Sequence, residues 1–336
     1  MAPSRVDLEA SYDAAVPMGN TCQRGKKPSM YLLETFPERS IEHCQTLFDT
    51  ILPNDSEVEN WRENADAILV REKIISANDV ASTKKLRAIG KQGTGIDIID
   101  KPACDKRGIR ICNTPGVNAN SVAELVLALT MAVARQLRTI SVRQESSEEV
   151  RKEHCSGVML ERKAIGILGM GAIGTAVARM FRAAFSADVW AYDPFAPANA
   201  WSDIPHTRVS KYEEMLPHVD VLTLHIPLNS ETRGLIGLKS LRAMKPTAIL
   251  INVARGGIVD EAALEQVINE GGLFGAGLDC HEEEPPTKAK YDSLWKTGRV
   301  VSTPHIGATT KETVVKTAIA AMDNVFQFLS ESEKQS

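Results

Sequence analysis

A short apolar run that passes directly into a Gly-x-Gly-x-x-Gly motif, and then into a helical pattern, constrains the fold of this chain more than any other feature. The run covers Ala164 to Leu168, and the glycines are Gly169, Gly171 and Gly174. In such a motif the first glycine permits a sharp turn, the second lets the backbone approach a pyrophosphate, and the third lets the helix pack closely. The helix start offers free N–H groups and partial positive charge to the phosphates. The pattern predicts a strand–turn–helix unit that holds a dinucleotide.

An acidic residue follows the next predicted strand. Thr175 to Phe185 has the pattern of a helix, Asp188 to Tyr192 has that of a strand, and Asp193 comes directly after it. The distance of Asp193 from the glycines is close to the ~20 residues expected of a carboxylate that binds the ribose hydroxyls of a dinucleotide. The alternative is that Asp193 only starts the turn before Pro194. The ribose role is the favoured interpretation because the glycine motif precedes it.

Length and composition are those of an ordinary globular protein. With 336 residues, of which 43% are hydrophobic and 24% charged, the chain has enough apolar material for two domains. The formal net charge is −4 and no basic stripe stands out, so no nucleic-acid partner is expected. The apolar stretch Leu125 to Ala134 is interrupted by Thr130 and is shorter than the ~20 residues needed to cross a bilayer, so no membrane partner is expected.

The cysteines are scattered and form no C-x-x-C pair, which argues against a metal site or a disulfide framework and favours a reducing, cytoplasmic compartment. They are Cys22, Cys44, Cys104, Cys112, Cys155 and Cys280. The N-terminus carries acidic residues and no apolar core, so neither a secretory signal nor a transit peptide is expected. Residues 1–28 and 331–336 are interpreted as flexible polar tails.

Short β-rich runs alternate with helical patterns from Met30 onward, which is typical of parallel sheets with crossover helices. A first series of strands is predicted at Met30 to Leu33, Ala67 to Val70, Leu86 to Ile89 and Ile109 to Cys112. A second series is predicted at residues 164–168, 188–192, 220–224, 247–252, 274–278 and 299–302, with helices after the first, second, fourth and fifth strands. The fold class is therefore α/β, with a dinucleotide-binding sheet and a smaller second unit.

Two long helices are predicted to connect these units. Asn120 to Ile140 has apolar residues at helical spacing, with Ser121 and Glu124 near its start in the pattern of a capping box. Lys311 to Leu329 follows the last strand, from where it can cross back to the first unit. The first domain is therefore predicted to be discontinuous: residues 29–118 and 303–330 would form a substrate domain, and residues 119–302 the dinucleotide domain.

Three charged residues follow strands of the second series, at the edge where open α/β sheets bind their ligands. Arg255 precedes two glycines and could hold a carboxylate with its planar fork. Glu284 and His305 could form a pair in which the carboxylate orients the imidazole and raises its pKa. Each has a structural alternative: an arginine that caps a turn or pairs with Asp260, a solvated acidic run, and a histidine that forms only structural hydrogen bonds.

Eight motifs follow one another along the chain: Gly93-Thr94-Gly95-Ile96-Asp97, Asn113-Thr114-Pro115-Gly116, Ser121-Val122-Ala123-Glu124, Gly169 to Gly174, His225-Ile226-Pro227-Leu228, Asn252-Val253-Ala254-Arg255-Gly256-Gly257, Glu284-Pro285-Pro286 and Pro304-His305-Ile306-Gly307-Ala308. In order and spacing they resemble the D-isomer-specific 2-hydroxyacid dehydrogenases. The resemblance runs from about Met30 to Leu329. Within the family it is strongest to 3-phosphoglycerate dehydrogenases of the short form, so feedback control through an appended regulatory domain is not expected.

The resemblance implies two Rossmann-like or flavodoxin-like domains, of which the doubly wound parallel sheet binds NAD. It implies an NAD-dependent oxidoreductase that transfers a hydride between C2 of a small D-2-hydroxy acid and the nicotinamide. His305 would be the acid/base, Glu284 would orient it, and Arg255 would bind the substrate carboxylate. A homodimer with the helix at Asn120 to Ile140 near its interface is also implied.

The resemblance further implies two sets of binding residues. Those for the cofactor are Ser121, Gly169, Gly171, Ala172, Ile173, Gly174, Asp193, His225, Ile226, Pro227, Thr232, Val253, Ala254, Arg255, Asp279, His305 and Gly307. Those for the substrate are Arg71, Lys91, Gly93, Thr94, Gly95, Arg255 and His305. The backbone N–H groups of the glycine-containing loop would help to bind the substrate carboxylate.

The favoured substrate is 3-phosphoglycerate, because Arg71 and Lys91 could neutralise a phosphate dianion. Glu72 replaces a small polar residue of the family's pattern and would repel that phosphate if it faced the cleft. Glyoxylate, hydroxypyruvate or another small 2-oxo acid is therefore an alternative. A second departure is Cys280-His281 in place of the usual Val-Phe, which would change the packing behind the nicotinamide.

A binding protein is the alternative from another functional class. Nucleotide-sensing corepressors resemble the same family and keep its catalytic residues, but no long disordered tail for partner binding is evident here. A formate dehydrogenase is disfavoured because those enzymes place glutamine where this chain has Glu284. A metabolic 2-hydroxyacid dehydrogenase is therefore the favoured interpretation of the sequence.

Overall fold

The computed structural model describes residues 27–146 and 148–333. Most of the predicted N-terminal tail, residues 1–26, lies outside these ranges, as do residues 334–336. The predicted C-terminal tail begins too early, because the last helix continues to Glu333.

The first sheet has five parallel strands in the order β2-β1-β3-β4-β5, the order of flavodoxin-like folds. The strands are β1 Ser29–Leu32, β2 Asp49–Ile51, β3 Ala67–Val70, β4 Ala88–Lys91 and β5 Arg110–Cys112. The helices of this part are α1 Glu38–Leu47, α2 Trp61–Asn64, α3 Ala77–Ser82 and α4 Lys101–Arg107. The sequence predicts all of these strands except β2, a short edge strand without an apolar run.

The second sheet has seven parallel strands in the order β12-β11-β10-β9-β6-β7-β8, which reverses between β6 and β9 as in doubly wound folds. The strands are β6 Ala164–Leu168, β7 Asp188–Tyr192, β8 Thr207–Arg208, β9 Val221–Leu224, β10 Ile249–Asn252, β11 Gly275–Leu278 and β12 Val300–Ser302. The helices are α5 Ala119–Ala134, α6 Leu137–Glu145, α7 Ala172–Phe185, α8 Leu238–Ala243, α9 Glu261–Asn269 and α10 Lys288–Lys296. The two-sheet α/β class is confirmed.

The central strands of both sheets are buried on both faces. Every residue of β3, β9 and β10 is buried, which is why these strands are continuous apolar runs rather than alternating ones. On one face of the second sheet, Val126 of α5 and Val177 of α7 belong to one apolar cluster with Ile167 of β6. This packing holds the start of α7 directly beyond the end of β6.

The last helix, α11 Lys311–Glu333, follows the second sheet in sequence but packs on the first. Ala318, Met322 and Val325 lie in one buried cluster with Met30 and Leu69 of the first sheet. This packing supports the proposal that the first domain is discontinuous, with residues 29–118 and 303–330 in one domain and residues 119–302 in the other.

The long connecting helix predicted at Asn120 to Ile140 is instead two helices. α5 ends at Ala134 and α6 begins at Leu137, because Gln136 takes a left-handed conformation with a φ of 53°. The predicted capping box is also wrong. The helix begins at Ala119, and the Ser121 hydroxyl donates a hydrogen bond to the carbonyl oxygen of Gly307 instead.

The helix predicted after β7 is absent from the described residues between β7 and β9. This segment contains Pro194, Pro197 and Pro205, each of which would interrupt a helix, and it forms β8 and a short 3₁₀ turn at Tyr212–Glu214. The helix α8 after β9 is not predicted, because its six residues are too short for a clear period.

No single helix in the part of the chain that the structure describes is long and apolar enough to cross a membrane. The helices α5 and α6 meet that length and composition only as a pair, and their axes are bent by 61°. Nine residues of α5 are buried within the protein.

Candidate active site

The glycine motif forms the turn between β6 and α7, where the strand order reverses. Gly169 has a φ of 100°, a left-handed conformation that favours glycine, and a side chain there would collide with the backbone carbonyl that follows β9. A side chain at Gly174 would collide with the carbonyl of Gly169. A Cβ at Gly171, in contrast, meets nothing within 4 Å. The space beside the first turn of α7, which begins with Ala172 and Ile173, is therefore free for a phosphate group.

Asp193 lies beside this turn and is hydrogen-bonded to it. Its Oδ2 accepts the N–H of Met170, between the first two glycines, at 2.9 Å. Its Oδ1 accepts the N–H groups of Phe195 and Ala196 at 2.9 and 3.1 Å. Asp193 thus starts a turn, as the alternative interpretation holds, and also lies next to the glycine loop. The ribose role stays a prediction that this position supports.

The loop after β9 lines the other side of the turn, since β6 and β9 are neighbours. His225 Nε2 is 3.0 Å from Thr223 Oγ1, and its Nδ1 has no partner among the described residues. Burial lowers the pKa of His225 to about 3, so the ring is neutral. Ile226 and Pro227 follow, and the Thr232 hydroxyl donates to the Pro227 carbonyl at 2.7 Å. His225 therefore offers a free polar atom beside the glycine turn.

Arg255 lies on a tight turn after β10 that Asn252 holds in place. Asn252 Oδ1 accepts a backbone N–H of the turn at 3.1 Å, and its Nδ2 donates to the Arg255 carbonyl at 2.9 Å. The next residue, Gly256, has no room for a side chain, because a Cβ there would collide with the carbonyl of His281. Two further predicted residues are buried in this turn: Val253 and Ala254.

The Arg255 guanidinium reaches the other domain. Its Nε and Nη2 each donate to Asp97 Oδ2 at 3.2 Å, and its Nη1 donates to the carbonyl of Ala254 at 2.7 Å. A side chain at Gly95 would collide with the guanidinium. The alternative pair with Asp260 is not formed, since that carboxylate caps α9. Arg255 therefore sits between the domains with a carboxylate partner that the sequence does not predict.

Glu284 and His305 form the pair that the sequence predicts. Glu284 Oε2 is 2.9 Å from His305 Nδ1, and the two side chains are 37% and 43% exposed. Hydrogen bonds with Cys280 and with Glu284 raise the pKa of His305 to about 10, against the effect of burial. Burial alone would raise the pKa of Glu284, but His305 and the backbone N–H of His281 outweigh it and the pKa is lowered. The pair is therefore a carboxylate and an imidazolium at neutral pH.

Asp279, directly after β11, holds the loop that carries His305. Its carboxylate accepts the Thr303 hydroxyl at 2.6 Å and two backbone N–H groups, including that of Gly307, at 2.8 and 2.9 Å. Its carbonyl accepts the N–H of His305 at 2.8 Å. These bonds, with that of Ser121 to Gly307, hold His305 in a left-handed conformation with a φ of 59°. The predicted cofactor contacts of these residues stay predictions.

The loop Gly93-Thr94-Gly95 lies near the Arg255 guanidinium and is held by side chains after β5. Thr114 Oγ1 accepts the N–H of Gly93 at 3.0 Å, so that N–H is not free for a substrate as predicted. Asn113 Nδ2 donates to the Thr94 carbonyl at 2.6 Å. Within residues 27–146 and 148–333, the N–H groups of Thr94 and Gly95 donate to no acceptor. These two groups are available to a carboxylate.

Lys91, the second cation predicted to bind the substrate phosphate, is buried. It is 8% exposed, and its Nζ donates to the Gln92 carbonyl at 2.6 Å. Burial lowers the pKa of Lys91 to about 8, while the charge of Glu34 acts in the opposite direction. Its Nζ would lie 3.6 Å from a Cβ at Gly93. Lys91 is therefore close to the loop but buried, and its contact with a substrate stays a prediction.

Arg71 is exposed, but its charge already has a partner. Its Nε lies 3.2 Å from Glu72 Oε1. The Glu34 carboxylate accepts the backbone N–H groups of Arg71, Glu72 and Lys73 at 2.6 to 3.1 Å, at the point where the strand order of the first sheet reverses. Such a group of N–H donors is an anion-binding nest. Two carboxylates of the chain therefore occupy the position expected to bind a phosphate.

Three supporting residues are missing from the predicted set: Glu34, Asp97 and Asn252. Asp97 and Asn252 belong to motifs noted in the sequence, so their positions beside the loop and the arginine could have identified them. Glu34 has no comparable signal, because its role depends on backbone donors after β3, a strand that neighbours β1 in the sheet but is distant from it in the sequence.

Comparisons with known proteins agree with this geometry. Residues 127–307 match the sequence model of the D-isomer-specific 2-hydroxyacid dehydrogenase NAD-binding domain. The D-3-phosphoglycerate dehydrogenase of Methanocaldococcus jannaschii is 37% identical over 251 residues, which cover 74% of this chain and 47% of that protein. The hydroxypyruvate reductase of Thermotoga maritima is 36% identical over 267 residues, which cover 79% of this chain and 85% of the reductase.

A solved structure gives the same result. The NAD⁺-bound 3-phosphoglycerate dehydrogenase of Entamoeba histolytica superposes with a TM-score of 0.74 at 26% identity, over 91% of this chain and 96% of that one. The chain spans about half the length of the M. jannaschii dehydrogenase and most of the length of the T. maritima reductase.

Proposed function

This chain belongs to the D-isomer-specific 2-hydroxyacid dehydrogenase family, and on that premise we propose that it is an NAD-dependent oxidoreductase that interconverts a small D-2-hydroxy acid and its 2-oxo acid. The main observation behind the proposal is the Glu284–His305 pair, in which Oε2 of Glu284 lies 2.9 Å from Nδ1 of His305. The same sheet edge carries Arg255, whose guanidinium reaches the opposite domain. An acid/base and a carboxylate-binding cation therefore occupy one site.

The residues at the glycine turn fit a dinucleotide. Open space at Gly171, the unpartnered Nδ1 of His225 and the carboxylate of Asp193 are the observations that support this fit. Asp193 would accept hydrogen bonds from the ribose hydroxyls and would repel the 2′-phosphate of NADP. When bound, NAD supplies the acceptor or donor of a hydride at its nicotinamide ring.

His305 is assigned the proton transfer. In the direction of reduction, its imidazolium donates a proton to the 2-oxo oxygen, and in oxidation the neutral ring accepts the proton of the 2-hydroxyl group. Glu284 bonds to Nδ1 and so leaves Nε2 for the substrate. The raised pKa of His305 keeps the proton on the ring at neutral pH, which suits reduction.

Arg255 is assigned the substrate carboxylate. Its Nε and Nη2 donate to Asp97. A substrate carboxylate would take the place of that side chain and accept a bidentate hydrogen bond. The free N–H groups of Thr94 and Gly95 belong to the loop next to the guanidinium and would donate to the same carboxylate. The substrate would thus be held between the two domains.

The candidate substrates fall into two classes, phosphorylated and unphosphorylated. The names of the M. jannaschii and E. histolytica relatives support 3-phosphoglycerate, which the sequence favours. The name of the T. maritima relative supports hydroxypyruvate, and glyoxylate is of the same unphosphorylated class. The carboxylates of Glu34 and Glu72 at the expected phosphate position favour the unphosphorylated class. A corepressor role is not favoured, since the relatives are named as dehydrogenases and reductases.

The assembly is proposed to be a homodimer in the cytoplasm. Leu137, Val142 and Met159, in and after α6, are 53%, 50% and 69% exposed, and a second copy that covered them would bury this apolar area. Leu137 lies within the helix predicted to be near the dimer interface, Asn120 to Ile140, and Val142 and Met159 follow it. Sedimentation at micromolar concentration should give the mass of a dimer, and a monomer would contradict this proposal.

A panel of 2-oxo acids tests the function. The purified chain is expected to oxidise NADH with hydroxypyruvate, glyoxylate or 3-phosphohydroxypyruvate, with a kcat/KM for the phosphorylated compound no higher than that for hydroxypyruvate. A higher value for the phosphorylated compound would favour 3-phosphoglycerate. No oxidation of NADH with any of them, while NADH binds, would contradict the proposed function.

A further inference from the structure

A thiol lies beside the acid/base pair. Cys280, Glu284 and His305 each place one ligand atom, a sulfur, a carboxylate oxygen and an imidazole nitrogen, within 4.8 Å of one another. The mechanism proposed above uses the last two and assigns nothing to the sulfur. Cys280 is also one of the residues at which the chain departs from the pattern of the family it resembles.

The three side chains are arranged so that a small ion can reach them. Cys280 is buried, and its Sγ donates a weak hydrogen bond, of 3.4 Å, to the carbonyl of Ala254. Glu284 and His305 are 37% and 43% exposed. An ion that enters from the solvent would meet the carboxylate and the imidazole first and the sulfur beneath them.

The set of donor atoms selects the kind of ion. Sulfur, nitrogen and oxygen ligands together are typical of Zn²⁺, with bonds of about 2.3, 2.0 and 2.1 Å. In a tetrahedron these lengths place the ligand atoms about 3.4–3.6 Å apart. The observed separations, 2.9 Å for oxygen to nitrogen and at most 4.8 Å for the others, approach this geometry with small side-chain rotations. The fourth position would remain open to water.

We propose that Cys280, Glu284 and His305 form a three-ligand site for Zn²⁺ or a similar divalent ion, and that occupation of this site inhibits the enzyme. On binding, the Cys280 thiol and the His305 imidazolium each release a proton to solvent, and the hydrogen bond between His305 and Glu284 is replaced by two bonds to the metal. The imidazole can then no longer transfer a proton. The inhibition rests on the proposed function, whereas the metal site does not.

Titration with Co²⁺ tests the site without any measurement of activity. The wild-type chain is expected to develop the sulfur-to-cobalt charge-transfer absorption and the intense visible bands of a tetrahedral thiolate site. Cys280→Ser and Cys280→Val should both lose the charge-transfer absorption. Cys155→Ser is the matched control, since Cys155 is a free thiol outside the site, and it should behave as wild type. Persistence of the absorption in both Cys280 variants, or its absence from the wild type, would overturn the proposal.

Inhibition by Zn²⁺ tests the consequence. We expect Zn²⁺ to inhibit the reduction of hydroxypyruvate reversibly, with recovery on addition of a chelator, and the half-inhibitory concentration to rise about 100-fold in Cys280→Ser relative to the uninhibited rate of that variant. Equal sensitivity of the variant would refute the inhibitory role. A cobalt spectrum that depends on Cys280 in a chain without activity towards any 2-oxo acid would refute the proposed function and leave the site standing.

Discussion

The charged groups at the two sheet edges that carry the candidate site differ in how accessible they are to a ligand. On the seven-stranded sheet, Glu284 and Asp279 hold His305 from behind, so the imidazole keeps one side exposed. On the five-stranded sheet, the two cations predicted to bind substrate already have partners within the domain: Arg71 pairs with Glu72, and Lys91 is buried and donates to a backbone carbonyl. Charged residues at a ligand-binding edge are therefore not equally available to a ligand.

A carboxylate can therefore act on a neighbouring charged group in two ways. A carboxylate that bonds the far side of an imidazole increases its capacity for proton transfer. A carboxylate that pairs directly with a cation competes with the ligand for the same charge. Substitutions on the seven-stranded edge should thus have large effects on catalysis, and those on the five-stranded edge should have small ones.

The largest effect is expected at His305. His305→Ala should lower kcat by about 10²–10⁴-fold, because general acid/base catalysis contributes that much. The dissociation constant of NADH, measured by fluorescence, should stay within about 3-fold of wild type, because the glycine turn is untouched. His43→Ala, which removes a histidine of α1 paired with Asp323, is the matched control and should leave kcat unchanged. Near-wild-type turnover of His305→Ala would contradict both its role in proton transfer and the contrast between the two edges.

Arg255 bridges the two edges and should come next. Arg255→Lys keeps the charge but loses the planar fork, so we expect kcat/KM to fall by about 30- to 900-fold, equivalent to about 2–4 kcal/mol. Asp97→Asn removes the competing partner and keeps the arginine, so it should not lower kcat/KM. A fall of the melting temperature in Arg255→Lys with unchanged kinetics would show that Arg255 serves only to join the domains.

Glu284 should affect the pH profile more than the rate. The pKa of His305 is raised to about 10, so the imidazolium persists from low pH and is lost as the pH rises through that value. Reduction should therefore decline only near pH 10, whereas oxidation should increase towards it. Glu284→Gln removes a charge that stabilises the imidazolium, so both limbs of kcat/KM should move to lower pH. Glu283→Gln is the neighbouring control, and a Glu284→Gln profile identical to wild type would contradict the role.

The smallest effect is expected at Arg71. Because its ion pair with Glu72 is exposed, Arg71→Ala should change the preference between 3-phosphohydroxypyruvate and hydroxypyruvate by less than about 5-fold. Lys73→Ala removes a cation of the same loop and should behave alike. If Arg71→Ala alone lowered that preference more than 10-fold, Arg71 would bind the phosphate, and the contrast between the two edges would fail.

The sequence predicts the fold best where apolar runs are bounded by strong turn signals. The limits of β6 and β7 are predicted to the residue, because glycines and Asp193 end them. The strands β2 and β8 are too short and too exposed to leave a pattern. The sequence pattern does not reveal the break between α5 and α6 at Gln136, because apolar residues recur at helical spacing on both sides of it. Local backbone geometry, rather than hydrophobicity, determines that break.

The candidate site shows the same limit. The parallel sheet brings Arg255, Glu284 and His305 to one edge, so their order after successive strands was sufficient to group them. Which charge pairs with which depends on contacts between distant segments. Neither the bond of Arg255 to Asp97 nor the burial of Lys91 follows from the spacing of residues in the chain.

The close approach at Gly256 limits which substitutions the protein can tolerate near the candidate site. The backbone of Gly256 lies against the carbonyl of His281, so any side chain there would push apart the two loops that carry Arg255 and Glu284. A residue with no proposed role in binding or catalysis thus sets the spacing between the loops that carry Arg255 and Glu284. Replacing a charged group lowers the rate by an amount that depends on the group. A single methyl group at position 256 would instead displace both loops together.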